Sequence, residues 1–113
     1  MNILVSAGPT REYFDSVRFI SNPSSGKMGY ALAGEAARRG HHVTLVTGPV
    51  VLEPPRGVRV VRIETAAEMA EACKETFRKA DAAFMTAAVC DYRPRGRVGH
   101  KRAKKNARLK VVL

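Results

Sequence analysis

The chain has 113 residues, of which 45% are hydrophobic, and a formal charge of +10. That length suits one domain able to bury a core without staples. Its two cysteines, Cys73 and Cys90, form no CxxC pair or metal spacing, which argues against a disulfide framework and for a reducing compartment. "MNILVSAGPT" lacks a basic leader region, and no segment approaches the roughly 20 apolar residues of a membrane helix, so a cytoplasmic protein without membrane association is expected.

"NILVSA" (Asn2–Ala7) reads as a buried strand ending at a glycine. "GPTREYFDSVRFISNPSS" follows as a long irregular connection. "GKMGYALAGEAARR" (residues 26–39) reads as a helix, capped by Ser24 or Ser25 and stopped by Gly40. Gly29, Ala33 and Ala37 recur every four residues and let that helix lie close to a sheet. "HVTLVT" (His42–Thr47) is a second strand, and "VRVVRIE" (Val58–Glu64) a third. "TAAEMAEACKETFRKA" (residues 65–80) is a second helix. Thr65 and Glu68 form its capping-box signature, and Met69, Cys73, Phe77 and Ala80 its apolar face. "AAFMTAAV" (Ala82–Val89) reads as a fourth buried strand, "CDYRPRGRVGHKRAKKN" as a basic loop, and "ARLKVVL" (residues 107–113) as a last strand.

The order is that of a single α/β domain spanning 1–113, with a mostly parallel sheet covered on both faces. Ligands then bind at the carboxyl ends of the strands. Those ends are Gly8-Pro9-Thr10, Thr47-Gly48-Pro49 and Ala87-Ala88-Val89-Cys90-Asp91. From Arg93 onward there are nine Lys or Arg and no acid, against eleven basic and ten acidic residues before it. The positive field therefore belongs to the last segment, where it could hold a polyphosphate or a nucleic acid.

Two well-known nucleotide patterns fail. Gly26-Lys27 is followed by Met28, and Ser21 stands where a P-loop needs glycine. "GPTREY" replaces GxGxxG after the first strand, and the second strand ends in Thr47-Gly48 rather than an acid. What remains is a helix start near Gly26 with free backbone N–H groups, a positive dipole end, Ser24, Ser25 and Lys27. Cys90 has no histidine placed to activate it and reads as a packed thiol. His41 and His42 lack metal partners.

"AGPTREYFDSVRFISNPSSGKMGYALA", "VTLVTGPV", "TAAEM", "AAVCDYRP" and the basic "HKRAKK" occur in the order found in phosphopantothenoylcysteine synthetase, and the sequence resembles that family from about Ile3 to Leu113. The family is the CTP-dependent synthetase domain of the bacterial bifunctional flavoprotein of coenzyme A biosynthesis. The resemblance implies a Rossmann-like three-layer fold and a ligase joining 4′-phosphopantothenate to cysteine through an acyl-cytidylate. It implies CTP as co-substrate, Mg2+, and a homodimer or a partner chain supplying further residues. Full synthetase domains continue well beyond this point, so the match covers their N-terminal half and implies a C-terminally truncated domain. Met1 abuts the first strand, so no flavin domain and no FMN are expected.

Carried over residue by residue, the resemblance implies donors to the nucleotide phosphates at Gly8, Thr10 and the turn Ser24, Ser25, Gly26, Lys27, Met28 and Gly29. Ala87, Ala88 and Asp91 would bind the nucleotide at the fourth strand's end. Asn22 would stabilise the oxyanion of the second step, Arg18 would serve the anionic substrate, and Lys101, or its neighbour Arg102, would contact the nucleotide. No protein metal ligand is implied. The family's "TREPxDPVR" reads "TREYFDSVR" here, so Tyr13 and Ser16 replace two stiffening prolines, and "KIKK" becomes "KRAKK". Two other readings stand beside the ligase: a non-catalytic nucleotide-binding relic, and a nucleic-acid-binding module using the basic tail. Tyr92 alone lies beside that tail, so the stacking platform of single-strand binders is poor.

Overall fold

β1 (Asn2–Ala7) is the spine of a parallel sheet in a computed structural model that describes residues 1–96. β4 (His42–Thr47) lies on one side of it and β6 (Ala82–Met85) on the other. β5 (Val58–Arg62) flanks β4, giving the order β5-β4-β1-β6. Register runs from Asn2 opposite His42 to Ala7 opposite Thr47, and from Ile3 opposite Ala82 to Ser6 opposite Met85.

Side chains alternate across a strand, and here both sets are apolar because both faces are covered. Ile3, Val5 and Ala7 of β1 join Val43 and Leu45 against Tyr30 and Ala33 of α1 (Lys27–Arg38). Leu4 and Val46 join Ile63 against Met69 and Cys73 of α2 (Ala66–Phe77) on the opposite face. The result is a three-layer, Rossmann-like α/β fold. Leu4, Val5, Leu45 and Val46 are all but fully buried, each contributing about 1.5–3 kcal/mol by leaving water. Burial also pushes the Cys73 thiol pKa up.

α1 lies close to the sheet because Gly29 lets it. A methyl group at Gly29 would sit 2.4 Å from the Ala7 Cβ and 2.5 Å from the Thr86 hydroxyl. On the solvent side Glu35 pairs with Arg38 at 2.5 Å and Arg39 at 3.1 Å, which holds its carboxyl down at about 2. Gly40, at φ 89°, ends the helix in the left-handed region. α2 starts as its sequence dictates: the Thr65 hydroxyl accepts from the Glu68 amide, and the Glu68 carboxylate accepts from the Thr65 amide.

Four local expectations change. The connection after β1 is not irregular. β2 (Arg11–Tyr13) and β3 (Phe19–Ser21) pair antiparallel within it, with Tyr13 opposite Phe19. Neither Ser24 nor Ser25 occupies the N-cap of α1; Gly26 does, at φ 78°, with no side-chain cap. The fourth strand ends at Met85, and among the described residues it is the outermost strand of the sheet, with Phe84 and Met85 43% and 64% exposed. Phe77 ends α2 exposed, leaving Met69 and Cys73 as its buried contacts. The expected last strand, residues 107–113, lies outside the described residues.

The turn that lacks two prolines is held by other means. Asp15, fully buried, accepts from the amides of Val17 at 2.8 Å and Arg18 at 2.5 Å. The Tyr13 ring packs on Phe19 with centroids 5.3 Å apart, and the Arg11 guanidinium lies 4.4 Å over the Phe19 ring centre.

Candidate functional site

The chain leaves β1 for α1 and β4 on one side, and later returns to β6 on the other side of β1. The switch in direction therefore falls between β1 and β6, and ligands of such sheets bind beyond the carboxyl ends of the strands there. Gly8–Thr10 and residues 86–90 meet at that point. Pro9 bridges Ala88, the Ala88 amide donates to the Gly8 carbonyl at 2.9 Å, and the Cys90 amide donates to the Thr10 hydroxyl at 2.8 Å. From β3, the Ser21 hydroxyl donates to the Thr10 carbonyl at 2.8 Å. The Asn22 amide nitrogen donates to the carbonyls of Ala88 at 3.3 Å and Val89 at 3.2 Å.

The N-terminus of α1 opens onto the same place. Gly8 and Gly26 both take φ 78°, and a Cβ on Gly26 would lie 3.6 Å from the Gly8 Cα. Val50 packs its Cγ1 against both glycines, at 3.0 and 3.1 Å from the positions their Cβ atoms would take. Gly48 lies so close to the Pro9 carbonyl that any side chain would collide with it, at 1.6 Å. Three loops thus meet here, each with a glycine at its point of closest approach.

The two helix starts differ sharply. At α2 the Ala66 amide donates to the Glu12 carboxylate at 2.8 Å and the Glu68 amide to Thr65. Backbone N–H bonds hold the Glu68 carboxyl below its usual range. At α1 no acid stands in the first turn, and the Lys27 amide reaches Ser25 at a long 3.4 Å. The amides of Met28 and Gly29 have no acceptor among the described residues. Free N–H groups and a positive dipole end suit an anion.

The site residues expected from the sequence separate into groups. Gly8, Thr10, Asn22, Ala88, Gly26 and Gly29 converge through the contacts above. Ser24 is half-buried, and Ser25, Lys27 and Met28 are exposed at the mouth of the helix start. Ala87 packs instead against the α2-side core, its amide 3.4 Å from the Ser6 hydroxyl. Asp91 is exposed. Arg18 pairs with Asp15 at 3.0 Å, so its charge is already engaged. Lys101 and Arg102 lie outside the described residues. Gly48 and Val50 were not singled out as site residues, although "VTGPV" was part of the matched motif. Tyr30 was also missed; its hydroxyl bonds Thr47 inside the core at 3.0 Å and ties α1 to the end of β4.

Among the described residues no group of three or more His, Cys, Asp or Glu could hold a metal ion. A divalent cation that keeps most of its waters and binds through substrate phosphates needs no such cage. A groove of about 510 Å³ opens at the opposite end of the sheet, between Asn2, His42, Arg59 and Lys79. It shares no residue with the glycine cluster, and sheet topology favours the carboxyl end. No helix among the described residues is long and apolar enough to cross a membrane.

Residues 1–113 match the family described as DNA/pantothenate metabolism flavoprotein C-terminal domain. The coenzyme A biosynthesis bifunctional protein CoaBC of Vibrio parahaemolyticus is 52% identical over 106 residues, covering 94% of this chain and 26% of that protein. The crystal structure of the C-terminal domain of a CoaBC protein superimposes with a TM-score of 0.82 at 49% identity, over 86% of this chain and 50% of that one. A histidine-to-alanine mutant of Cab2, solved with phosphopantothenate-cysteine, shares the fold at TM-score 0.75 and 16% identity, over 89% of this chain and 49% of that one. The chain thus spans about a quarter of the curated relative and half of the solved domains.

Proposed function

The chain belongs to the DNA/pantothenate metabolism flavoprotein C-terminal domain family, and from that premise we propose that it forms the N-terminal half of a phosphopantothenate–cysteine ligase site that binds CTP. The observation that carries this reading is the uncapped, glycine-lined start of α1 at the switch point of the sheet.

In the proposed reaction the carboxylate of 4′-phosphopantothenate attacks the α-phosphate of CTP. The bond to the β-phosphate breaks and pyrophosphate leaves, giving an acyl-cytidylate. The amine of cysteine then attacks the acyl carbon, loses its proton, and CMP leaves with the bonding pair. The first step gathers negative charge, so its catalysis needs donors fixed in advance. The Met28 and Gly29 amides and the positive end of α1 fill that role, and Gly8 and Gly26 let a phosphate approach the backbone. Lys27 adds a flexible cation at the mouth. Mg2+ would be carried on the CTP phosphates, a mode of binding that needs no carboxylate cage from the protein.

Asn22 faces the strand ends from β3, and both of its N–H bonds go to carbonyls. Stabilising an oxyanion would take one of them from Ala88 or Val89. Arg18 would meet an anionic substrate with a charge shared with Asp15.

Millimolar CTP with Mg2+ is expected to raise the melting temperature by several degrees, more than ATP does. A ligand at 100 times its Kd stabilises by about 2.7 kcal/mol. No shift and no calorimetric heat with CTP would overturn the nucleotide reading.

A further inference from the structure

Three consecutive residues of β2 fasten to one short junction between β5 and α2. The Arg11 amide donates to the Glu64 carbonyl at 2.6 Å. The Glu12 carboxylate accepts from the Ala66 amide at 2.8 Å. The Tyr13 hydroxyl donates to the Glu64 carboxylate at 2.6 Å. Glu12 points inward and is 7% exposed, while Tyr13 and Arg11 point outward. Alternate side chains of one strand therefore hold the two ends of the Glu64–Ala66 junction from two sides. The junction is itself stiffened from within, since Glu68 accepts from the amides of both Glu64 and Thr65.

β2 is short, and among the described residues it pairs only with β3. A two-stranded hairpin is marginal by itself in water, so its position must come from outside. On its far side the hairpin carries the contacts of the glycine site: Thr10 to Cys90, Ser21 to Thr10, and Asn22 to Ala88 and Val89. A buried carboxylate on a helix N-terminus is the strongest of the three anchors, because the bond is charge-assisted and the dipole adds to it.

We propose that Glu12 is a positioning residue, with Tyr13 as its second anchor, which fixes the β2–β3 hairpin on the N-terminus of α2 and so sets Thr10 and Asn22 at the strand ends. Glu12 bonds Ala66 and Tyr13 bonds Glu64, on the α2 side, so each acts on the glycine cluster through the hairpin. Tyr13 stands where the resembled family carries a stiffening proline, and it replaces backbone stiffness with a clasp to Glu64. The proposal deepens the ligase reading and rests on it for the purpose of the positioning, while the positioning itself is measurable without any ligand.

The test compares Glu12→Ala, Glu12→Gln and Tyr13→Phe in the full chain by amide hydrogen exchange. The Phe14 amide, bonded to the Arg18 carbonyl, and the Cys90 amide, bonded to Thr10, report the two ends of the hairpin's contacts. Glu12→Ala should speed exchange at both by about tenfold while amides of β1 and β4 keep their rates, as a local opening requires. Glu12→Gln keeps an acceptor for Ala66 and should restore most of the protection. Tyr13→Phe should give a smaller local increase, and it carries the test alone if Glu12→Ala does not fold. Unchanged rates at Phe14 and Cys90, or a uniform increase across the chain, overturn the proposal. A parallel titration with CTP and Mg2+ keeps the two claims apart. If the wild-type chain binds no CTP, the nucleotide reading fails and the exchange rates still decide the role of Glu12. If it binds, Glu12→Ala should weaken binding while Glu12→Gln preserves it.

Discussion

Gly29 is the residue whose identity the fold constrains most tightly. Its hydrogen faces Ala7 and Thr86 at distances no methyl group tolerates. Gly29→Ala should destabilise the chain by about 1–3 kcal/mol, the usual range for overpacking, and thermal unfolding measures it. Part of this was legible, since the four-residue spacing of Gly29, Ala33 and Ala37 announces a close approach. What the spacing could not reveal is that Gly26, rather than a serine, would take the N-cap. Gly26 takes that position with a left-handed backbone, φ 78°, packed against Gly8 and Val50. Asn22 tests a different point. If it stabilises the oxyanion of the second step, Asn22→Ala should slow product formation more than pyrophosphate release, with a loss on the order of 10²–10³. Equal losses in both would leave Asn22 a tie between β3 and the Ala88–Val89 backbone, and nothing more.

At the level of elements, α2 was readable because its start is written locally: Thr65 and Glu68 are three apart and close a box on each other. The hairpin β2–β3 was not. Its strands are three residues each, too short for an alternation to register, and its anchors lie 51 and 54 positions away at Glu64 and Ala66. β6 reads as buried because its sequence is apolar, yet among the described residues it is the outermost strand, with Phe84 and Met85 exposed. The box has a consequence for pH. Folding lowers the Glu68 carboxyl from its ordinary value of 4.5, through the Thr65 amide first, and Arg38 and Arg39 lower that of Glu35 to about 2. A carboxyl lowered by folding favours the folded state most when both states are ionised. That contribution is complete above pH 4.5 and is lost as pH falls through the lowered values. Denaturant midpoints should therefore hold steady at neutral pH and fall between about pH 4.5 and 2. Glu68→Gln should flatten part of that fall; an unchanged profile in this variant would remove Glu68 from the account.

Over the whole molecule, the fold class was the most legible feature, because apolar runs alternating with capped helices leave few arrangements other than a covered parallel sheet. The site was legible as a place, at the strand ends, more than as a set of side chains. Backbone amides and glycines make up most of it, and Val50 and Gly48 enter through packing rather than through a reactive side chain. The basic residues that dominate the net charge fall mostly after the described residues, so their part in the site rests on the resemblance alone. A nucleic-acid role for that segment predicts a steep salt dependence without base preference, whereas the ligase reading places the ligand at the start of α1.

Backbone amide NMR of the chain titrated with CTP and Mg2+ would locate the ligand. Shifts are expected to concentrate at Gly8, Thr10, Gly26, Met28, Gly29 and Ala88, saturating together, with Asn2, Arg59 and Lys79 at the opposite end unmoved. Shifts confined to that opposite groove, or no shifts at millimolar CTP, would contradict a site at the start of α1.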